Sequence, residues 1–113
     1  MEKDTGDRFN YRNIDSLLNS PIRLAVMSLL MGAEEAEFTY IRDSVGTTDG
    51  NLSRHLAKLE ESGLIEVRKA FDGKKPVTYQ RATDKGREEL KAYVRNLESL
   101  IVSIRKDDQR KHD

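Results

Sequence analysis

Apolar residues recur along this chain first at helical spacing, then in alternation, then at helical spacing again, and that order predicts its elements. Ser20-Pro21 reads as an N-cap followed by proline at the first helical position, where its missing N–H is no loss. Ile22, Ala25, Val26 and Leu29 then recur at helical spacing and predict a buried helix running to about Met31. Ahead of it, Ile14, Leu17 and Leu18 predict a shorter amphipathic helix begun near Asn13. Residues 32–37 read as a loop, and Thr39 is placed to cap a short helix through Val45 with Ile41 and Val45 inward, broken by Gly46-Thr47. From Thr48 onward, Leu52, Leu56 and Leu59 form a single apolar stripe on a helix over 48–62 whose opposite face is polar and small. Its end is specified locally: Gly63 suits a left-handed C′ position, and Leu64 can reach back to Leu59 as a Schellman cap requires.

The period then changes from helical to alternating. Ile65 and Val67 alternate with Glu66 and Arg68, and after Phe71-Asp72-Gly73-Lys74-Lys75 a second run to Ala82 alternates Val77 and Tyr79 with Thr78 and Gln80. This predicts a β-hairpin with Asp72-Gly73 as its turn pair, and Pro76 is compatible only with an edge strand or a nitrogen facing solvent. Thr83-Asp84 caps a last helix over about 84–105, in which Leu90, Tyr93, Leu97, Leu100 and Ile104 are separated by alternating threes and fours. Residues 1–12 read as a flexible arm containing Phe9 and Tyr11, and 106–113 as a charged, frayed tail. The expectation is one domain over 13–105, mainly α with a small β-hairpin.

Composition removes alternatives more than it adds any. The 113 residues are 36% hydrophobic and 35% charged, with 20 basic and 20 acidic side chains, so net charge announces no partner and any basic signal must be local. Residues 64–81 supply one: Arg68, Lys69, Lys74, Lys75 and Arg81 stand against only Glu66 and Asp72. The absence of cysteine excludes a disulfide framework, a thiolate metal site and a cysteine nucleophile. With no apolar leader and no long apolar run, a soluble cytoplasmic chain without membrane contact is expected. No nucleophile stands beside a base, no glycine-rich loop is built to cradle phosphate, and His55 and His112 have no partners at ligand spacing, so neither enzymatic activity nor a metal or cofactor is expected. Glu60-Glu61 and Glu88-Glu89 read as solvated helix-surface pairs.

Short helix, tight turn, polar-faced helix, hairpin with a basic tip and long terminal helix form a layout with a known counterpart. The run GTTDGNLSRHLAKLEESGLIEVRKAFDGKKPVTYQRATDKGREEL resembles the recognition helix, wing and following helix of the MarR and ArsR regulator superfamily, most closely its short MarR-like prokaryotic members. The match spans about 14–104, and its most specific parts are LSRHLAKLEESGLI and TDKGREEL. The resemblance implies a winged helix-turn-helix that regulates transcription by binding double-stranded DNA sequence-specifically. The metal-sensing cysteines common in the ArsR branch are missing, which speaks against that mode of sensing. A small-molecule effector in a pocket between the last helix and the wing is allowed by the resemblance, but no residue names it.

A recognition helix reads the major groove through polar residues off its core stripe, here Thr47, Thr48, Asp49, Asn51, Ser53, Arg54 and Lys58. Arg54 suits guanine and Asn51 adenine, the threonines or the helix-start N–H groups suit phosphate, and Asp49 is read as a helix-dipole partner because a carboxylate repels phosphate. Gly50 permits close approach. Lys74 and Lys75 at the wing tip, with Arg68 and Lys69 behind them, are placed for the backbone or minor groove. Leu97, Leu100, Ile101 and Ile104 continue an apolar stripe beyond what so small a body can cover. They therefore predict a homodimer joined with Phe9, Tyr11 and Ile14 of the arm. The resemblance implies that such a dimer acts on a pseudo-palindromic operator as a repressor, or as another kind of regulator. The alternative is a winged-helix protein-interaction module that never meets DNA.

Overall fold

A computed structural model describes the backbone of residues 17–112 and the side chains of residues 17–109. The order is α1 (Pro21–Met31), β1 (Ala36–Glu37), α2 (Phe38–Val45), α3 (Asp49–Glu61), β2 (Ile65–Asp72), β3 (Lys75–Ala82) and α4 (Asp84–His112). The predicted winged, mainly helical α+β architecture is what is observed.

The ends of the helices follow their local chemistry. Ser20 caps α1 through its side chain to the Arg23 N–H, with Pro21 at the first helical position. Thr48 caps α3 by accepting from the Asn51 N–H. At the far end of α3, Gly63 adopts φ 78°, the Leu64 N–H reaches the Leu59 carbonyl at 2.9 Å, and the Gly63 N–H reaches that of Glu60 at 3.0 Å, which is the Schellman pattern. Thr83 begins α4 by accepting from the Gly86 N–H at 3.0 Å.

Several expectations change. The residues of α1 buried completely are Val26, Met27 and Leu30, while Ala25 is exposed and Ile22 and Leu29 are half-buried. The helix is apolar nearly all round, so spacing alone leaves its inward face ambiguous. α2 starts at Phe38 with Glu37 as N-cap and no side-chain capping bond, so Thr39 lies inside the helix rather than capping it. Part of the expected loop is a strand: Ala36 and Glu37 pair with Gln80 and Tyr79, giving a three-stranded antiparallel sheet of order β1-β3-β2. Leu17 and Leu18 lie in a turn rather than a helix, with Leu18 fully buried, and residues 13–16 of that expected helix lie outside the described residues. Finally α4 continues as helix through the segment read as a frayed tail.

The core joins α1, α2, α3, the sheet and the first turns of α4 through Leu18, Val26, Met27, Leu30, Ile41, Leu52, Leu56, Leu59, Leu64, Ile65, Leu90 and Tyr93. The Leu52–Leu56–Leu59 stripe is therefore buried, which turns the polar side of α3 outward.

Candidate nucleic-acid interface

Burial of its leucines leaves α3 presenting Thr48, Asp49, Gly50, Ser53, Arg54 and Lys58 to solvent, with Thr47 and Asn51 half-exposed. These side chains are tied to one another. Asn51 donates from Nδ2 to Thr47 Oγ1 at 2.9 Å, and Arg54 donates to Asn51 Oδ1. The chain Thr47–Asn51–Arg54 thus lies along the first turns of the helix, where a groove-reading helix makes its base contacts.

Asp49 has a partner that its sequence position does not reveal. Its carboxylate accepts from Arg42 Nη1 at 2.8 Å, while Arg42 Nε donates to Asp43 at 2.9 Å. The two carboxylates, Asp43 foremost, raise the Arg42 pKa further above its ordinary value. The bridge spans the turn between α2 and α3, so Asp49 complements both the dipole of α3 and the cation beside it.

Behind α3, His55 is half-buried and its Nδ1 lies 2.9 Å from Arg23 Nη1, while Arg23 Nε donates to the Leu17 carbonyl at 2.5 Å. Burial first, and the charges of Arg23, Arg54 and Lys58 after it, lower the His55 pKa below its ordinary value. His55 is a packing and bonding residue. Among the described residues no cluster of three or more His, Cys, Asp or Glu side chains could hold a metal ion.

The wing is a two-residue hairpin. Asp72 pairs with Lys75, so Gly73-Lys74 forms the turn with Gly73 at φ 65°, one residue beyond the expected Asp72-Gly73 pair. Lys69, Lys74 and Lys75 are exposed. Arg68 is engaged elsewhere: its guanidinium donates to both carboxylate oxygens of Glu35, at 3.2 and 2.5 Å, and stacks 4.5 Å from the centroid of the Tyr79 ring. The same bond holds the Glu35 carboxyl below its ordinary value. Arg81 pairs with Glu66 at 2.8 Å. Arg68 and Arg81 thus brace the sheet, and the lysines hold the free charge of the wing.

On α4, Leu97 and Leu100 are half-buried and Ile101 and Ile104 exposed, joined by exposed Val94 and Val102, which spacing had not singled out. Phe9, Tyr11 and Ile14 lie outside the described residues. No helix among the described residues is long and apolar enough to cross a membrane.

Comparisons with known proteins find the same fold. The sequence matches the winged helix DNA-binding domain family over residues 22–101. The chain belongs to that family. It is 38% identical over 88 residues to an uncharacterized protein of Methanocaldococcus jannaschii, covering 78% of this chain and 96% of that one. The structure is similar to that of a transcriptional regulator homologue from Pyrococcus horikoshii OT3, with a TM-score of 0.76 and 32% identity over 83% of this chain and 94% of that one. It also shares its fold, at a TM-score of 0.63 and 22% identity, with a MarR-family protein from Enterococcus faecalis V583, covering 86% of this chain and 84% of that one. The winged-helix member is a DNA-binding transcriptional regulator and not an enzyme.

Proposed function

We propose that this regulator is a cytoplasmic homodimeric repressor, each protomer placing α3 in a major groove and its wing on the adjacent backbone and minor groove of a pseudo-palindromic operator. The observation that carries the reading is the outward polar face of α3, where Thr47, Asn51 and Arg54 are bonded in series on a helix fixed from behind by leucines and bridged at its start by Arg42–Asp49. Arg54 and Asn51 read base edges, the Thr48 end of the helix holds a phosphate, and Lys58, Lys69, Lys74 and Lys75 supply further phosphate contacts. Arg68 contributes by bracing the wing rather than by touching DNA. Dimerisation through α4, with Phe9, Tyr11 and Ile14 against the partner, sets the two helices on successive grooves, and occupancy of a promoter-overlapping site excludes polymerase.

The test is a mobility shift on fragments selected from genomic DNA, run at low and at moderate salt. Specific fragments should be retained preferentially, with affinity falling steeply as salt rises because phosphate contacts release counterions. Absence of binding even at low salt would overturn the reading and favour a protein-interaction module.

A further inference from the structure

The wing tip carries an apolar edge that solubility does not require. Phe71 is 73% exposed, above Tyr40 at 58% and Ile104 at 57%. Its cross-strand neighbour is Pro76, also exposed. Because Asp72 and Lys75 flank the two-residue turn, they form the hydrogen-bonded pair, and Phe71–Pro76 is the next, non-hydrogen-bonded pair, whose side chains stand closest. The proline nitrogen then points away from β2, toward an edge that β1 leaves open by pairing only at Tyr79 and Gln80. Phe71 shares a sheet face with Ile65 and Val67, yet it stands about 13 Å beyond Val67 along the strand, where the core has ended.

The surroundings of this edge are charged in one sense. Lys69, Lys74 and Lys75 are exposed and make no ion pair with the described residues, and Asp72 is the single acid among them. The sheet's arginines are bound to Glu35 and Glu66 on the other face. A hairpin needing only solubility and strand propensity would be served by threonine at Phe71. A phenylalanine ringed by free lysines matches a duplex instead: the ammonium groups meet phosphates on either side of a groove, while the ring finds an apolar surface only between bases.

We propose that Phe71, backed by Pro76, is an apolar wedge that enters the minor groove of bound double-stranded DNA, partly unstacks one base step and bends the duplex. The proposal rests on the wing-on-DNA reading above and adds a means of selectivity that needs no hydrogen bond. Pyrimidine–purine steps open at least cost, so operators carrying such a step beneath the wing are preferred.

The experiment uses a duplex fragment recovered by selection with the wild-type chain, labelled at its ends for energy transfer and carrying 2-aminopurine at successive steps of each flank. Binding is first established by mobility shift, and deformation is then read at saturating protein. The wild type should raise 2-aminopurine emission at one step per half-site and shorten the end-to-end distance. Phe71→Ala and the strand-compatible Phe71→Thr should bind about tenfold more weakly and lose most of both signals, while Phe71→Leu retains them. Wild-type binding without unstacking, or undiminished bending by a folded Phe71→Thr, overturns the wedge and leaves operator binding standing. A fall in oligomeric mass of Phe71→Thr with unchanged DNA deformation assigns the edge to a protein contact and equally overturns it. No shift with the wild type overturns the operator reading itself.

Discussion

Gly86 occupies a place where no side chain fits, although its backbone angle is ordinary. A Cβ there would lie 2.1 Å from the Leu64 carbonyl oxygen, the acceptor of the Thr83 N–H, at the point where α4 crosses the end of α3. Gly86→Ala should therefore cost about 1–3 kcal/mol or more of stability, read as a lowered urea midpoint, because backbone rather than a flexible side chain must move. On the outward face of α3, Arg54→Ala should lose about 1–3 kcal/mol of specific binding and relax base preference, whereas Lys74→Ala with Lys75→Ala should weaken specific and non-specific duplexes alike and flatten the salt slope. Retention of full operator preference by the Arg54 variant would show that another face reads the bases. The outward polar residues were legible because the leucine stripe defines them by exclusion. Their partners were not. Arg87 reaches the Leu30, Met31 and Ala33 carbonyls and so satisfies the C-terminus of α1, and Glu35 holds Arg68; both are contacts between distant segments that no local pattern encodes. The one clue was an arginine in the first turn of α4, where the helix dipole disfavours a cation. Gln80 is buried on the core face of β3 with its Oε1 unbonded among the described residues, which alternation does not anticipate.

At the scale of elements, α3 is joined to α1 by one polar link beside their shared core. Arg23 joins the turn at Leu17 to His55, so α3 and the segment entering α1 share a guanidinium. His55 can accept from Arg23 only while Nδ1 is unprotonated, and its pKa in the folded chain lies below the ordinary 6.5. The unfolded chain therefore binds the proton more readily. The stabilisation is complete above about pH 6.5 and is lost as pH falls through the lower folded value. Urea midpoints should drop with acidification in that window, and His55→Gln, which does not titrate, should remove that part of the slope. Glu35, held below its ordinary value by Arg68, adds its own loss only at more acid pH. The elements that sequence specified well are those with private signals: the Ser20 cap of α1, the Schellman end at Gly63, and the Thr83 start of α4. β1 was missed because two residues cannot show a period, and the hairpin turn shifted by one because Asp72-Gly73 and Gly73-Lys74 both contain the glycine that supplies the positive φ.

At the scale of the whole molecule the dominant feature is α4. Its 29 residues extend about 43 Å, within a molecule whose longest dimension is 65 Å and whose others are 30 and 22 Å. Leu90 and Tyr93 are spent on the core and Leu97 lies at its margin, with Val94 already exposed beside them; beyond Leu97 the helix leaves the body with Leu100, Ile101, Val102 and Ile104 wholly or partly in water. Apolar side chains recurring on one projecting helix form a surface that a second copy can match, because a two-fold axis brings identical stripes together. Light scattering at micromolar concentration should then give twice the chain mass of 12.9 kDa, and a mass near the monomer value would remove the dimer. Leu97→Glu with Ile101→Glu should yield a folded monomer, since both residues lie beyond the fully buried core. That monomer should retain weak, salt-sensitive binding to a half-site and lose most affinity for the full operator, because the second contact is no longer intramolecular. In the dimer, half-sites placed about 34 Å apart should bind best, with insertion of half a helical turn between them abolishing the advantage over a single half-site. Equal affinity for all spacings would mean that the two α3 helices are not held rigidly by α4, even if the chain proves dimeric.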